Sequence, residues 1–173
     1  FSVDESRQYL KKAREMGFKL KIHADEIVSL GGSELAGELK ATSADHLLHA
    51  SDAGIKAMAE NGVVSTLLPT TAFCLREPFA RAREMIDAGC AVALATDFNP
   101  GSGFTFSVPL MLGLAVIYMH MTAEEAITAL TLNGAAAVGR ADRIGSIEVG
   151  KQADLTILQY PSYKFLPYHT GVN

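Results

Sequence analysis

Four short strand-like segments, each separated from the next by a helical stretch, constrain this chain more than any other feature. They occupy residues 19–24, 44–49, 63–68 and 90–95. The last two are almost uninterrupted in Val, Leu, Ala and Ile-type side chains. A strand that is apolar on both faces must be covered on both faces. That is the condition of parallel strands joined by helical crossovers. The intervening segments meet it. A first helix capped by Ser2 or Asp4 carries Leu10, Ala13 and Met16 at helical spacing and stops at Gly17. Helices are expected over residues 33–41, 51–61 with Gly62 as cap, and 77–88 with Gly89 after it. The pattern is a series of βαβ units, hence an α/β fold with a parallel sheet.

Each run ends in polar or conformationally restricted residues: His23, then His46 and His49, then Pro69-Thr70-Thr71, then Asp97. In α/β barrels the catalytic groups sit at the C-terminal ends of the strands. Four such units make half of a (β/α)8 barrel. The remainder of the chain reads differently. Residues 108–120 and 123–138 are expected to be two helices, the second capped by Thr122 with Glu125 three positions on. Residues 144–158 are punctuated by glycines and predict a small β-structure after the barrel. Residues 160–173 read as an extended, aromatic-rich tail packed against the body. The domain division expected is therefore 1–140 for the barrel part and 141–173 for the β-segment and tail.

Composition narrows the function classes. The chain has 173 residues, 49% hydrophobic and 20% charged, which suits a folded domain and excludes a disordered one. Its formal net charge is -4, so it lacks the basic footprint of a nucleic-acid or anionic-membrane ligand. The longest apolar stretch, 108–119, is too short to span a bilayer. With 2 Cys and no CxxC spacing, neither a disulfide framework nor a cysteine zinc site is expected. A reducing, cytoplasmic setting and a small-molecule substrate are the expectations. The chain opens Phe-Ser-Val-Asp-Glu, without an initiator Met, and is expected to start inside a larger protein.

His23 lies at a strand end in His-Ala-Asp-Glu, where a neutral imidazole is a natural transition-metal ligand and neighbouring carboxylates can face the same cavity. A satisfied surface or core histidine is the alternative. His46 ends the second run, whereas His49 would point to the opposite face of an extended strand and reads as a loop histidine. His120 reads as a helix C-terminal partner and His169 as structural. Asp97 follows a run too apolar to leave a carboxylate without a cation, a metal or water. An Asx-turn before Asn99-Pro100-Gly101 is the competing reading. The Asn-Pro-Gly-Ser-Gly stretch can turn backbone N–H groups toward an anionic ligand. Phosphate-loop and nucleophile-elbow motifs are absent from the sequence. His23, Glu26, His46 and Asp97 thus come from the ends of three strands, and imidazole with carboxylate is the donor set of metal-assisted hydrolysis.

The stretches His23-Ala-Asp-Glu26, Ser43-Ala-Asp-His46-Leu, Leu68-Pro-Thr-Thr-Ala-Phe73 and Ala95-Thr-Asp97-Phe-Asn99-Pro-Gly101-Ser102 resemble the amidohydrolase superfamily. Together with Gly145-Ser-Ile-Glu-Val-Gly-Lys-Gln-Ala-Asp-Leu and the tail Leu166-Pro-Tyr-His-Thr-Gly-Val-Asn, they are most similar to its imidazolonepropionase family. The resemblance implies the C-terminal half of a (β/α)8 TIM-like metallo-dependent hydrolase barrel, followed by a small β-sandwich segment. It implies one divalent or trivalent metal ion, zinc or iron, held by His23 and Asp97. It gives Glu26, His46 and Asp97 catalytic roles, and Glu26, Asn99, Gly101 and Ser102 substrate contacts. The implied reaction opens the ring of 4-imidazolone-5-propanoate to N-formimidoyl-L-glutamate. Another amidohydrolase acting on a cyclic amide or amidine, and a non-catalytic scaffold, are the alternatives. A homodimer of the full-length enzyme is the expected assembly. The family's His-x-His pair of the first strand is absent from this sequence. Half a barrel leaves two open strand edges, so the piece alone is not expected to be a stable, active monomer.

Overall fold

The sheet adds its strands in chain order, β1-β2-β3-β4, and every pairing is parallel. This comes from a computed structural model that describes residues 1–170. The strands are β1 (Lys21–Ala24), β2 (Ser43–His46), β3 (Val64–Leu67) and β4 (Val92–Leu94). Strictly sequential parallel order is the winding of an α/β barrel, whereas a doubly wound sheet reverses direction from a central strand. The helices that precede or join the strands are α1 (Val3–Glu15), α2 (Gly32–Glu38), α3 (Asp52–Asn61), α4 (Pro69–Leu75) and α5 (Ala82–Asp87). After β4 come α6 (Val108–Tyr118), α7 (Ala123–Leu130), α8 (Leu132–Ala137) and α9 (Phe165–Tyr168).

Strand alternation sorts the side chains into two environments. Ala24, Ala44, Leu67, Val92 and Leu94 face the helices and join one core with Leu35, Met58, Met85 and Met111. The small residues matter here, because they let the helices approach. A Cβ on Gly32 would lie 3.0 Å from Ala24. The other face carries Lys21, His23, Ser43, Asp45 and Thr66, which are polar. At its lower end Val64 and Ala93 pack against Ala137 of α8. The Lys21 ammonium donates to the Ala137 carbonyl at 3.2 Å, and the Asn133 amide donates to the Val92 carbonyl at 2.8 Å. Helix α8 therefore closes the end of the sheet opposite the strand C-termini.

Several sequence expectations need correction. The helix expected over 77–88 is confined to Ala82–Asp87. Pro78 disfavours helical backbone at Glu77 and supplies no N–H. Pro69 starts a helix, α4, where the sequence reading used it only to end a strand. Its fixed φ suits the first helical position, where an N–H is not needed. The single helix expected over 123–138 is broken at Thr131 (φ -103, ψ -85), whose hydroxyl donates back to the Ile127 carbonyl at 2.7 Å. No strand forms over 144–158 among the described residues. Ile147, Val149, Leu155 and Ile157 are exposed there, because a β-stretch needs a partner and none of the described residues supplies one. The tail is not wholly extended. It contains α9, which packs on α6 so closely that a Cβ on Gly113 would lie 1.8 Å from Thr170. Gly171, Val172 and Asn173 lie outside the described residues.

Candidate metal centre

The strand C-termini bring two histidines and a carboxylate together. His23 Nδ1 and His46 Nε2 are 2.7 Å apart, close enough to share one hydrogen bond. Glu26 Oε1 stands 3.5 Å from His46 Nδ1. The three residues each offer a ligand atom within 4.8 Å of the others. Register alone would not have paired the imidazoles. His23 lies level with Asp45, and His46 lies level with Ala24, on the opposite pleat. The backbone resolves this. His46 (φ 77) and Leu47 (φ 62) are both left-handed, so β2 ends in a turn that swings the His46 side chain toward His23. Non-glycine residues in that region are strained, and such strain concentrates at functional sites.

Burial dominates the electrostatics of His46, which is 3% exposed. It pushes the imidazole below its ordinary pKa. The Glu26 carboxylate opposes the shift, and the neighbouring His23 reinforces it. His46 is thereby held neutral near pH 7. Its Nδ1 is buried without a hydrogen-bond partner in good geometry. Two imidazoles with carboxylates nearby form a borderline-hard N/O donor set that suits a transition metal. The His23 imidazole, with the Glu26 carboxylate and His46 beside it, fits the chemistry of such an ion.

Asp25 and Glu26 part company. Asp25, also left-handed (φ 49), turns into the protein and accepts four hydrogen bonds. Leu30 N–H (2.9 Å) and Gly32 N–H (3.1 Å) donate to Oδ1, and Ser33 N–H (2.9 Å) and hydroxyl (2.6 Å) donate to Oδ2. Burial alone would raise its carboxyl, but the hydrogen bonds from Ser33, Leu30 and Gly32 outweigh it and hold it below the usual range. Asp25 thus ties the loop after β1 to the start of α2 and leaves Glu26 facing the histidines. Its adjacency to His23 invited a site role, whereas its partners make it a loop anchor.

Asp97 is not in the close trio. It sits two strands away, after β4, and its Oδ2 accepts from the Thr71 hydroxyl at 2.8 Å. Its charge still reaches His46, where it favours the protonated form. The following loop departs from the expected anion cradle. Asn99 Oδ1 accepts from Gly101 N–H at 2.8 Å and Ser102 N–H at 2.9 Å, so both donors are engaged inside an Asx-turn. Asn99 Nδ2 donates to the Asp97 carbonyl and to Ser102 Oγ, each at 2.8 Å. The side chain that makes the turn is Asn99 and not Asp97, whose carboxylate instead accepts from Thr71. Of the other histidines, His49 lies beyond the turn, its N–H donating to the Asp25 carbonyl at 2.9 Å. His120 lies past the end of α6. His169 packs against Tyr160 and Phe165, as a structural histidine would. Sequence reasoning missed the supporting residues Ser33, Thr70 and Thr71. The Thr-Thr pair directly after a strand-ending proline was the available signal.

Sequential parallel strands, with imidazole and carboxylate gathered at their C-terminal ends, are the arrangement of an α/β barrel that carries its site at the strand ends. Residues 1–171 match the amidohydrolase family, and the chain belongs to it. Its curated relatives include imidazolonepropionases. That of Clostridium tetani is 74% identical over the whole chain, which covers 41% of that protein. That of Parabacteroides distasonis is 68% identical over the whole chain, which covers 42% of it. The chain thus spans about two-fifths of the length of these relatives. Among solved structures, an adenosine deaminase from Xanthomonas campestris with bound zinc superposes with a TM-score of 0.76 at 26% identity, over 88% of this chain and 40% of that one. E. coli guanine deaminase shares the fold, with a TM-score of 0.70 at 20% identity over 85% of this chain and 39% of that one.

Proposed function

We propose that this chain is the C-terminal part of an enzyme that hydrolyses 4-imidazolone-5-propanoate to N-formimidoyl-L-glutamate in histidine degradation. The observation that carries the reading is the His23–Glu26–His46 cluster at the ends of adjacent parallel strands. The imidazolonepropionase relatives at 68–74% identity support the substrate. Residues 1–140 are read as half of a (β/α)8 barrel, and 141–173 as a segment of a small β-domain completed by chain beyond this sequence. The exposed apolar side chains of 147–157 support that second part. A homodimeric assembly and a cytoplasmic location belong to the same proposal. No helix of the described residues is long and apolar enough to cross a membrane.

His23 and Asp97 are the proposed ligands of one zinc or iron ion. The bound zinc of the Xanthomonas neighbour supports zinc. Such an ion supplies Lewis acidity, which polarises a carbonyl and activates water at neutral pH. The protein's own groups handle the rest. As water attacks the lactam carbonyl carbon, a C–O bond forms and the ring C–N bond breaks. Asp97 accepts the proton released by water, and the leaving nitrogen takes a proton. His46, held neutral by burial, donates a hydrogen bond to the developing oxyanion from one ring nitrogen. Glu26, 3.5 Å from the other ring nitrogen, accepts from a ring N–H of the substrate. Asn99, Gly101 and Ser102 form the loop that borders the substrate beside Asp97.

The test is made on protein of the relatives' full length. Metal content is measured beside turnover of the imidazolone for the parent, His23→Ala, Asp97→Asn and His46→Gln. The reading expects about one zinc or iron per chain, lost in His23→Ala, and turnover reduced at least about 100-fold in His46→Gln with metal retained. Turnover of an aminopurine but not of the imidazolone would replace this reading with that of a deaminase.

A further inference from the structure

We infer that Thr71, with Thr70 beside it, is a positioning residue that sets the orientation of the Asp97 carboxylate. The inference rests on the proposed role of Asp97 as a metal ligand. Three hydrogen bonds converge on residues 96–97. The Thr71 hydroxyl donates to Asp97 Oδ2 at 2.8 Å. The Thr70 hydroxyl donates to the Thr96 carbonyl at 2.6 Å. Asn99 Nδ2 donates to the Asp97 carbonyl at 2.8 Å. Both threonines sit in the first turn of α4 and are 0% and 1% exposed, so water does not compete for their hydroxyls.

Such a clamp has a physical purpose at this position. Asp97 is left-handed (φ 51), a backbone state that Asp tolerates better than most residues and that its neighbours here fix. Thr70 and Asn99 fix the peptide on either side of its Cα. Thr71 then removes the remaining freedom, rotation about the side chain, by holding one carboxylate oxygen. The hydrogen bond leaves Oδ1 as the oxygen available to a ligand. Hydrogen-bonding partners of metal-binding carboxylates commonly govern affinity in this way. Thr71 touches neither substrate nor metal in this scheme and acts only through Asp97.

The experiment uses full-length protein loaded with zinc. Zinc affinity is measured by competition with a chromophoric chelator, and kcat and KM are measured on the same samples. Thr71→Val keeps the shape and deletes the donor. Zinc is expected to bind about 10- to 100-fold more weakly, with a fall in kcat of similar size and little change in KM. Thr71→Ser keeps the hydroxyl and is expected to restore both to near the parent values. Parent-like zinc affinity in Thr71→Val, alongside weakened affinity in Asp97→Asn, would overturn the positioning role while leaving the ligand role standing. Parent-like affinity in Asp97→Asn itself would overturn both. If the valine variant does not fold, the serine variant decides: loss of zinc in Thr71→Ser would sink the inference, because its donor is intact.

Discussion

Replacing Asp25 by Asn tests whether the loop after β1 is held by a buried charge. The carboxylate is 6% exposed and accepts two N–H donors on Oδ1 and, on Oδ2, the Ser33 N–H and hydroxyl. An amide of the same size offers one acceptor and one donor group. Whichever way it sits, its NH2 confronts donors that need acceptors. If it faces Ser33, which is fully buried, a backbone N–H is orphaned. If it faces Leu30 and Gly32, two N–H groups lose their partner, though water can reach them. A hydrogen bond to a charged acceptor contributes about 1.5–3 kcal/mol, and an orphaned buried donor costs about 1–3 kcal/mol. We therefore expect Asp25→Asn to destabilise this loop by about 3 kcal/mol. Ser33→Ala deletes only the hydroxyl bond and should cost about 2 kcal/mol.

The assay is hydrogen exchange followed by mass spectrometry on the peptide spanning residues 26–36. A loss of about 3 kcal/mol speeds exchange there by about two orders of magnitude, since each 1.4 kcal/mol is about tenfold. The double variant should show coupling, because two hydrogen bonds join Ser33 to Asp25 and both single changes act on the hydroxyl one. Its cost should fall short of the sum of the two singles by about 1–2 kcal/mol. Exchange in Asp25→Asn within about threefold of the parent, or strict additivity of the two changes, would refute the reasoning. Glu26 follows Asp25 directly, so a loosened loop should also reduce turnover.

Two further outcomes follow from packing and charge. Gly54→Ala would put a methyl group 2.0 Å from the Ser33 hydroxyl, displacing the donor that Asp25 needs. It should destabilise by about 2–3 kcal/mol, as overpacking does, and should mimic Ser33→Ala in the exchange experiment. Parent-like melting of Gly54→Ala would contradict this. Glu125 accepts both Arg83 guanidinium bonds (2.9 Å each) and caps α7 through Thr122 N–H at 2.8 Å. The Arg83 bond is the main reason its carboxyl titrates below the ordinary range; burial acts the other way, and the cap bond adds to the lowering. A depressed folded-state pKa stabilises above the unfolded value of about 4.3, and that stability is lost as pH falls through the lower folded value. Thermal melts between pH 7 and pH 3 should therefore fall less steeply in Glu125→Gln than in the parent. Parallel curves would show that the pair adds nothing.

How much of this was legible in the sequence depends on whether the signal was local. The four strands were, since each is a short strand-like segment with a helix on either side. So was the nearness of the strand ends that carry His23, Glu26 and His46, because strand ends in a sequential parallel sheet must lie side by side; the turn of His46 toward His23 was not. Helix breaks were not. Thr131 separates α7 from α8 by its non-helical backbone (φ -103, ψ -85), yet in sequence it looks like Thr128, whose hydroxyl makes the same back-bond inside α7. The β-stretches after residue 143 failed for the opposite reason. Their pattern was present, but a strand is a relation between two segments, and the described residues supply only one.

The functional site shows why strand ends are informative at all. Alternation along β2 would have placed His46 on the helix-facing side with Ala44, and only its positive φ returns it to His23. Asp25, Leu47 and Asp97 share that backbone state, at the ends of β1, β2 and β4. Asp25, the loop anchor, is supported by four donors, and Asp97 by Thr71. Such support has little reason to exist unless the direction of a side chain matters. Exposed Lys40, Arg76 and His120 hold the same backbone state without such partners. For Asp97 it is therefore the Thr71 hydrogen bond on its carboxylate, and not the positive φ alone, that argues its orientation is used.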